Sequence, residues 1–475
     1  MMRKAVAGAL ALLALLALGA IGAAYVVERV GVTPRALAPY IEKRTSGHNP
    51  FIVKAGQASA GLLLQLDRGE PALPAALAVT LGAQPGAVGV DARGGIAVAT
   101  PDALRAALAQ ANPGDTITLL PGVYRFGGAP LDVNRPGRAG LPIVVRAAQP
   151  GSAQLEFDLV EGFRVKAPYW RFENLAIRGV CAEDRYCEHA FHVVGAASHF
   201  VARNNTLTDF NAHIKINGEQ GRFPDHGLIE QNTLTATRVR QTSNPVTPID
   251  LVAANGWTMR ANLISDFLKG EGDMVSYGAF AKGGGSGNVF ERNLVWCERN
   301  LHGPGQRVGL SLGGGGTGAA VCRDGRCITE QEQGIVRANL VMGCSDVGIY
   351  LNSAARSSVV DNTLLDTGGI DVRYATSSAR LDGNLVDGPI RSRDSGLLHL
   401  EDNRSTALWQ MFVGYHPVRS LFAAPGGGDL AWRSGAPERA SSALGGVDLC
   451  GAKRGRSAVY GAFDDFSGCL ARQGR

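Results

Sequence analysis

The sequence predicts an all-β solenoid, a parallel β-helix, and three observations lead there. First, an Asn followed within two positions by apolar residues recurs at Asn174, Asn205, Asn232, Asn262, Asn293, Asn339, Asn362 and Asn384, with a degenerate copy at Asn403. The separations are about 19 to 31 residues, with one longer step after Asn293, which is the spacing of a stacked repeat. Second, each unit alternates apolar and polar residues at period two and places Gly at its corners, as in residues 278–295, so strands rather than helix pairs fill it. Third, a coil with two or three short strands cannot bury its own apolar face and must stack on its neighbours. A solenoid lengthens by adding coils, so one elongated domain accounts for most of the 475 residues.

Taken in order, Arg3 and Lys4 precede an apolar stretch over 5–27, about long enough to cross a bilayer. Residues 1–30 are therefore expected to anchor the chain in the inner membrane with the remainder on the periplasmic or extracellular side. Small residues over 20–24 leave cleavage and secretion as the alternative. The eight cysteines fit an exported chain. Cys181 with Cys187 and Cys322 with Cys327 bracket short polar loops, and Cys450 with Cys469 bracket the tail; by elimination Cys297 pairs with Cys344. The balance of 47 basic and 42 acidic residues, net +5, contains no Lys/Arg run and points away from nucleic acid.

Residues 31–95 read as a juxtamembrane segment and linker, rich in Ala, Pro and Gly over 67–89. The β-helix is expected over 96–403. Thr100, Pro101 and Asp102 are an N-cap, a first-turn proline and a first-turn acid. Leu104, Ala107, Leu108 and Ala111 form the apolar stripe of a short helix that caps the solenoid's open end. Residues 113–124 (Pro-Gly-Asp-Thr-Ile-Thr-Leu-Leu-Pro-Gly-Val-Tyr) resemble the first coil of right-handed parallel β-helix proteins that act on polysaccharides, and that resemblance supplies the handedness. Leu421-Phe422, Gly428-Asp429-Leu430, Asp448-Leu449 and Gly461-Ala462-Phe463 resemble the C-terminal wrap of exported β-helices, so 404–475 is expected to be such a wrap.

Aliphatics phase the strand that precedes each Gly- or Ser-rich turn. Ile214 and Ile216, Ile249 and Leu251, Leu310 and Leu312, Ile349 and Leu351, and Ile370 and Val372 point inward. His192, His213, Lys215, Asn217, Asp250, Lys282, Ser311, Tyr350 and Arg373 then face out, side by side at about 4.8 Å per coil. Such a row suits a groove that binds a charged polymer. The run from Lys282 to Asn293 resembles the Lys-Ser-Ser-x-Asn segment and Asn-containing coil end of the alginate lyase and chondroitinase B family. The resemblance implies that Lys282 is a catalytic base for β-elimination on a uronic-acid polymer. It also implies calcium, for which Glu271 and Asp273 are the nearest upstream acids. The family's Arg falls where this chain has Leu310-Ser311-Leu312-Gly313, so Arg307, or else Arg299, is the candidate replacement from a loop.

Three other readings stay open at this stage. A glycoside hydrolase would pair Asp250 with Asp273 or Asp225. An epimerase shares the proton-abstraction step, and a non-catalytic carbohydrate-binding or envelope scaffold needs no base at all. The recurring asparagines are expected to hydrogen-bond along one corner, where Asn also tolerates the left-handed conformation. The histidines at 189, 192, 199 and 213 lack metal-binding spacing.

Overall fold

The computed structural model describes residues 2–69, 79–86, 95–440, 446–454 and 457–470. It is a right-handed parallel β-helix whose coils visit three parallel sheets in turn, of 12, 11 and 10 strands. All ten inward aliphatics named above are fully buried, because period-two alternation leaves them no other face.

One corner, between the first and second sheets, carries the asparagine ladder. The Nδ2 of Asn205 donates to Oδ1 of Asn232 (3.0 Å), Asn232 to Asn262 (3.1 Å), Asn262 to Asn293 (3.0 Å) and Asn293 to Asn339 (2.9 Å). The chain of bonds continues through Asn362 and Asn384 to Asn403. Each Oδ1 also accepts the backbone N–H of the asparagine one coil earlier, and each Nδ2 also donates to a carbonyl of the previous coil, as Asn293 does to Met259 O (2.9 Å). Two details differ from expectation. The residue with positive φ is the one before each ladder asparagine (Asn204, Gln231, Ala261, Arg292, Ala338, Asp361), not the asparagine itself. Asn174 is one of these corner residues (φ 62°), so it stands one place out of the ladder and Leu175 takes its position, its N–H bonded to Asn205 Oδ1 (3.0 Å).

The N-terminal end and one side are covered. The helix Pro101–Gln110, capped by Thr100 Oγ1 on Ala103 N (3.2 Å), lays Leu104, Ala107 and Leu108 on the first coil. Along one side, Phe422, Leu430, Tyr460, Phe463 and Phe466 of the wrap pack on Leu263, Leu294, Trp296, Met342 and Leu365, outward residues of the second sheet. From Leu263 onward that sheet is buried on both faces, which is why its later strands read Leu-Val rather than alternating, while its earlier strands keep the alternation. The first sheet's outer face carries a paired-charge ladder, Arg203–Glu230–Arg260 and Glu291–Arg337. The outward side of the third sheet mixes charged, aromatic and small residues, most of them buried, though not Lys215 or Lys282, and the candidate site lies there. Four disulfides close the loops and coils: Cys181–Cys187, Cys297–Cys344, Cys322–Cys327 and Cys450–Cys469.

The N-terminal region departs most from expectation. Among the described residues no helix is long and apolar enough to cross a membrane, so the structure does not support the expected anchor. The first half of that stretch, residues 1–13, lies outside the residues whose side chains are described. Residues 2–68 are not a loose segment. After helix α1 (Met2–Val30), helices α2 (Pro34–Thr45) and α3 (Pro50–Arg68) form a hairpin stapled to the solenoid by buried charges. Arg35 grips Asp67 (2.5 Å) and reaches Cys344 O (2.7 Å) and Asp366 (3.0 Å); Arg68 bridges Asp366 (3.0 Å) and Glu298 (3.1 Å). Arg419 and His416 hold Asp387 from the wrap side at 2.6 and 2.9 Å. Hydrophobic periodicity carries no trace of such a network. The expected linker over 67–89 falls partly on residues 70–78 and 87–89, outside the described residues.

Two stability measurements follow. Asn293→Leu strands the N–H and Nδ2 of Asn262 and should cost about 3 kcal/mol in urea denaturation, against under about 1 kcal/mol for an exposed asparagine. Acid should also destabilise the chain. Burial pushes Asp366 and Asp387 up, but the facing cations outweigh it: Arg68, Arg35 and Arg419 for Asp366, Arg419 and His416 for Asp387. Both carboxyls end below the ordinary range. Their stabilisation is complete above the unfolded value of about 3.9 and is lost as pH falls through the folded values. Tm should therefore drop steeply below about pH 4, and less steeply in Asp366→Asn.

Candidate active-site groove

The outward residues of the third sheet form two parallel rows, not one. Strand pairing aligns Arg164, His192, Lys215, Asp250, Phe280, Ser311, Tyr350 and Asp371 in the first row. Lys282 pairs with Val252 and Arg373 with Asn352, two residues further along their strands, so both belong to the second row. The aliphatic pattern fixes which residues face out but not which outward position each holds. Phe280 therefore occupies the first-row place that the sequence suggested for Lys282.

Lys282 ends strand Val275–Lys282 because the next residue needs a left-handed turn. Gly283 has φ +78°, and a Cβ there would stand 2.7 Å from Val252 Cγ1. The Lys282 ammonium lies 4.4 Å from the Phe280 ring centroid. Its stem runs against Gly314, where a Cβ would come within 2.9 Å of Lys282 Cδ. Val252, Ala253, Phe280, Phe223 and Tyr277 make the apolar surroundings, and Tyr277 stands edge-on to Phe280 at 5.6 Å. Among the described residues Nζ has no hydrogen bond or ion pair. Burial pulls the Lys282 pKa below its usual value and the Lys215 charge adds to this, while Asp250 and Glu330 oppose it. An amine so placed is more often neutral than a surface lysine and can accept a proton.

The other expected residues divide. His192 contacts Glu161 (2.9 Å) and Asn217 (2.8 Å), and Lys215 pairs with Asp250 (2.7 Å), so these line the groove beside Lys282. Tyr350 packs on Val308 and Val347, with Arg373 against its hydroxyl (3.4 Å). Ser311 is fully buried and donates to Gly313 O. His213, expected to face out, is buried with Nε2 on Thr235 O (2.9 Å), and burial pulls its pKa to about 4, leaving it neutral. Arg307 is buried at the far end of the next strand, bonded to Glu298 (2.6 Å) and Pro304 O (2.6 Å). It pairs with Ser276, six residues before Lys282, or roughly 20 Å away along the sheet, and cannot stand in for the family's Arg.

Glu271 and Asp273 lie beyond that same far end, and Asp273 is taken up by Lys269 (2.7 Å). The carboxylates that act on Lys282 are committed as well, Asp250 to Lys215 and Glu330 to the Gly283 and Thr317 N–H groups (3.0 Å each), and Asp225 is held by Arg323 (2.7 Å). A calcium ion takes six to eight oxygens, several from carboxylates, so these residues do not fit it. Cys322, Asp324 and Cys327 lie close together, but both sulfurs are spent in a disulfide. Sequence reading missed Phe280, although alternation alone marked it as outward. It also missed Phe223, Glu330 and Arg323, which reach the site from loops that no repeat pattern encodes.

The sheet layout defines a class, the single-chain parallel β-helix, and comparison with known proteins agrees on that fold. No family model matches the chain. Pectate lyase L of Dickeya chrysanthemi is 32% identical over 102 residues, which cover 19% of this chain and 24% of that protein. Pectate lyase L of Dickeya dadantii (strain 3937) is 31% identical over 102 residues with the same shares. The match thus spans about a quarter of those relatives' length. Among solved structures, the pectate lyase Pel9A superposes with a TM-score of 0.54 at 16% identity, covering 82% of this chain and 98% of that one. A PL6 family polysaccharide lyase from Pseudopedobacter saltans gives 0.38 at 14% identity, over 69% and 95%. The superposition on Pel9A shows that the two chains share the parallel β-helix fold.

Proposed function

We propose that the third-sheet groove binds an acidic polysaccharide on the oxidising side of a membrane and that Lys282 cleaves it by β-elimination. The observation that carries this is a desolvated lysine with no acid partner among the described residues, set on an aromatic floor in a groove edged by Lys215 and Tyr350. Neutral Lys282 Nζ takes the proton from the carbon beside a uronate carboxylate. The released pair forms the C=C bond, the glycosidic C–O bond breaks, and the leaving oxygen takes a proton from solvent. Lys215, two coils back, is the cation that faces the developing negative charge. The likeness to pectate lyases supports a polygalacturonate-like substrate, and the four disulfides support export.

A binding-only scaffold is the second reading, favoured by the displacement of Arg307 and by the pairing of Asp250 with Lys215 and of Asp225 with Arg323. The same pairing weighs against the hydrolase reading, since Asp250, Asp225 and Asp273 are each held by a cation.

Incubation with polygalacturonate, alginate and chondroitin, following unsaturated ends and reducing ends together, separates these. A lyase raises both signals, and Lys282→Ala should lose at least about a hundredfold in both. Reducing ends alone would mean hydrolysis, and binding without either signal would establish the scaffold.

A further inference from the structure

We propose that the excursion over residues 313–330 is a clasp that holds Lys282 in a water-poor position, and that Arg323, bridged to Asp225, is its latch. Arg323 is then a positioning residue that acts on the reaction through Lys282. The inference rests on the reading of Lys282 as the base.

The coil before this one turns from the third sheet at Lys282 through Gly283 and Gly284 straight into strand Gly285–Ser286. The equivalent turn of the next coil leaves at Gly313 and returns only at Glu330, before strand Gln331–Glu332. The added chain folds back over Lys282 and Gly283. Arg323 N–H donates to Gly283 O (2.9 Å) and Gly284 N–H to Glu330 O (2.8 Å). The Glu330 carboxylate accepts from Gly283 N–H (3.0 Å), Thr317 N–H (3.0 Å) and Thr317 Oγ1 (2.6 Å), which ties both feet of the excursion to the residue after Lys282. Its tip is closed by the Cys322–Cys327 disulfide and by Asp324, which accepts the N–H groups of Arg326 and Cys327 (2.9 Å each).

What pins the tip is a fork. The Arg323 guanidinium meets both oxygens of Asp225 (2.7 and 2.9 Å), donates to Ala253 O (3.1 Å), and lies 4.5 Å from the centroid of Phe223. Asp225 and Phe223 belong to an earlier turn, so the latch reaches across the coils and shuts the Lys282 side of the groove. Lys282 is left between Phe280 beneath it and the Gly313–Gly315 backbone beside it. The charged groups that act on it are Asp250 and Lys215 from the sheet and Glu330 from the clasp. Releasing the latch admits water, which favours the charged amine and weakens the base.

The test is made on the whole chain. Lysines are 13C-dimethylated and titrated by NMR, and the Lys282 signal is assigned by its loss in Lys282→Arg. Arg323→Gln and Asp225→Asn should each move the Lys282 midpoint upward. A midpoint higher by about one pH unit should lower the kcat for unsaturated product at neutral pH about tenfold, with recovery at higher pH and little change in KM. If Arg323→Gln does not fold, Arg323→Lys keeps the charge, loses the fork, and gives the same reading. Unmoved midpoints in variants with native circular dichroism and an intact Cys322–Cys327 bond overturn the clasp. Raised midpoints in the variants, with no unsaturated product from the wild type, overturn Lys282 as a lyase base and leave the clasp standing.

Discussion

The structure depends on the hydrogen-bonded asparagines at one corner. The Asn293 side chain, for one, satisfies the Asn262 N–H and the Met259 carbonyl of the coil before it and accepts from the Asn262 side chain as well, in a place closed to water, so a coil that slipped by one residue would strand several buried donors and acceptors. That penalty fixes register along the stack. Register in turn places the outward residues of the third sheet in straight rows about 4.8 Å apart. The regularity of that face thus comes from the opposite side of the coil.

Charge on the solenoid is mostly neutralised where it stands. Asp250, Asp371, Asp366 and Asp387 each have a guanidinium or ammonium in contact, and the same holds for Glu230 and Glu291 on the first sheet. Lys282 differs because its neighbours are an aromatic ring, aliphatic side chains and glycine backbone. Burial and the Lys215 charge lower its proton affinity against the opposing pull of Asp250 and Glu330, which is the direction the proposed role requires. The structure provides that setting with residues from three separate turns.

The fold was legible because the signals that specify it are local and repeated: alternation, corner glycines and the Asn-Leu signature. The same signature misled once. Asn174-Leu175 resembles Asn293-Leu294 in letters, yet its asparagine is the corner residue of positive φ and not the ladder residue, a difference of backbone conformation that composition does not record. Lys282 could be picked out from its glycine context. Its floor could have been, since Phe280 is two positions away on an alternating strand. Arg323, Glu330 and the Arg35–Asp67–Asp366 staple could not, because they join residues tens to hundreds of positions apart through loops and helices outside the repeat. Arg307 shows the converse: proximity in sequence suggested a partner for Lys282, and the extended strand between them carries it to the other end of the sheet.

The most direct test of the account is a crystal structure of Lys282→Ala with a trapped polygalacturonate oligomer. The account predicts a sugar seated over Phe280, its carboxylate toward Lys215, and the carbon beside that carboxylate within about 3–3.5 Å of the place Nζ would occupy. An oligomer bound on another face, or one lying in the groove with that carbon turned away from position 282, would contradict it.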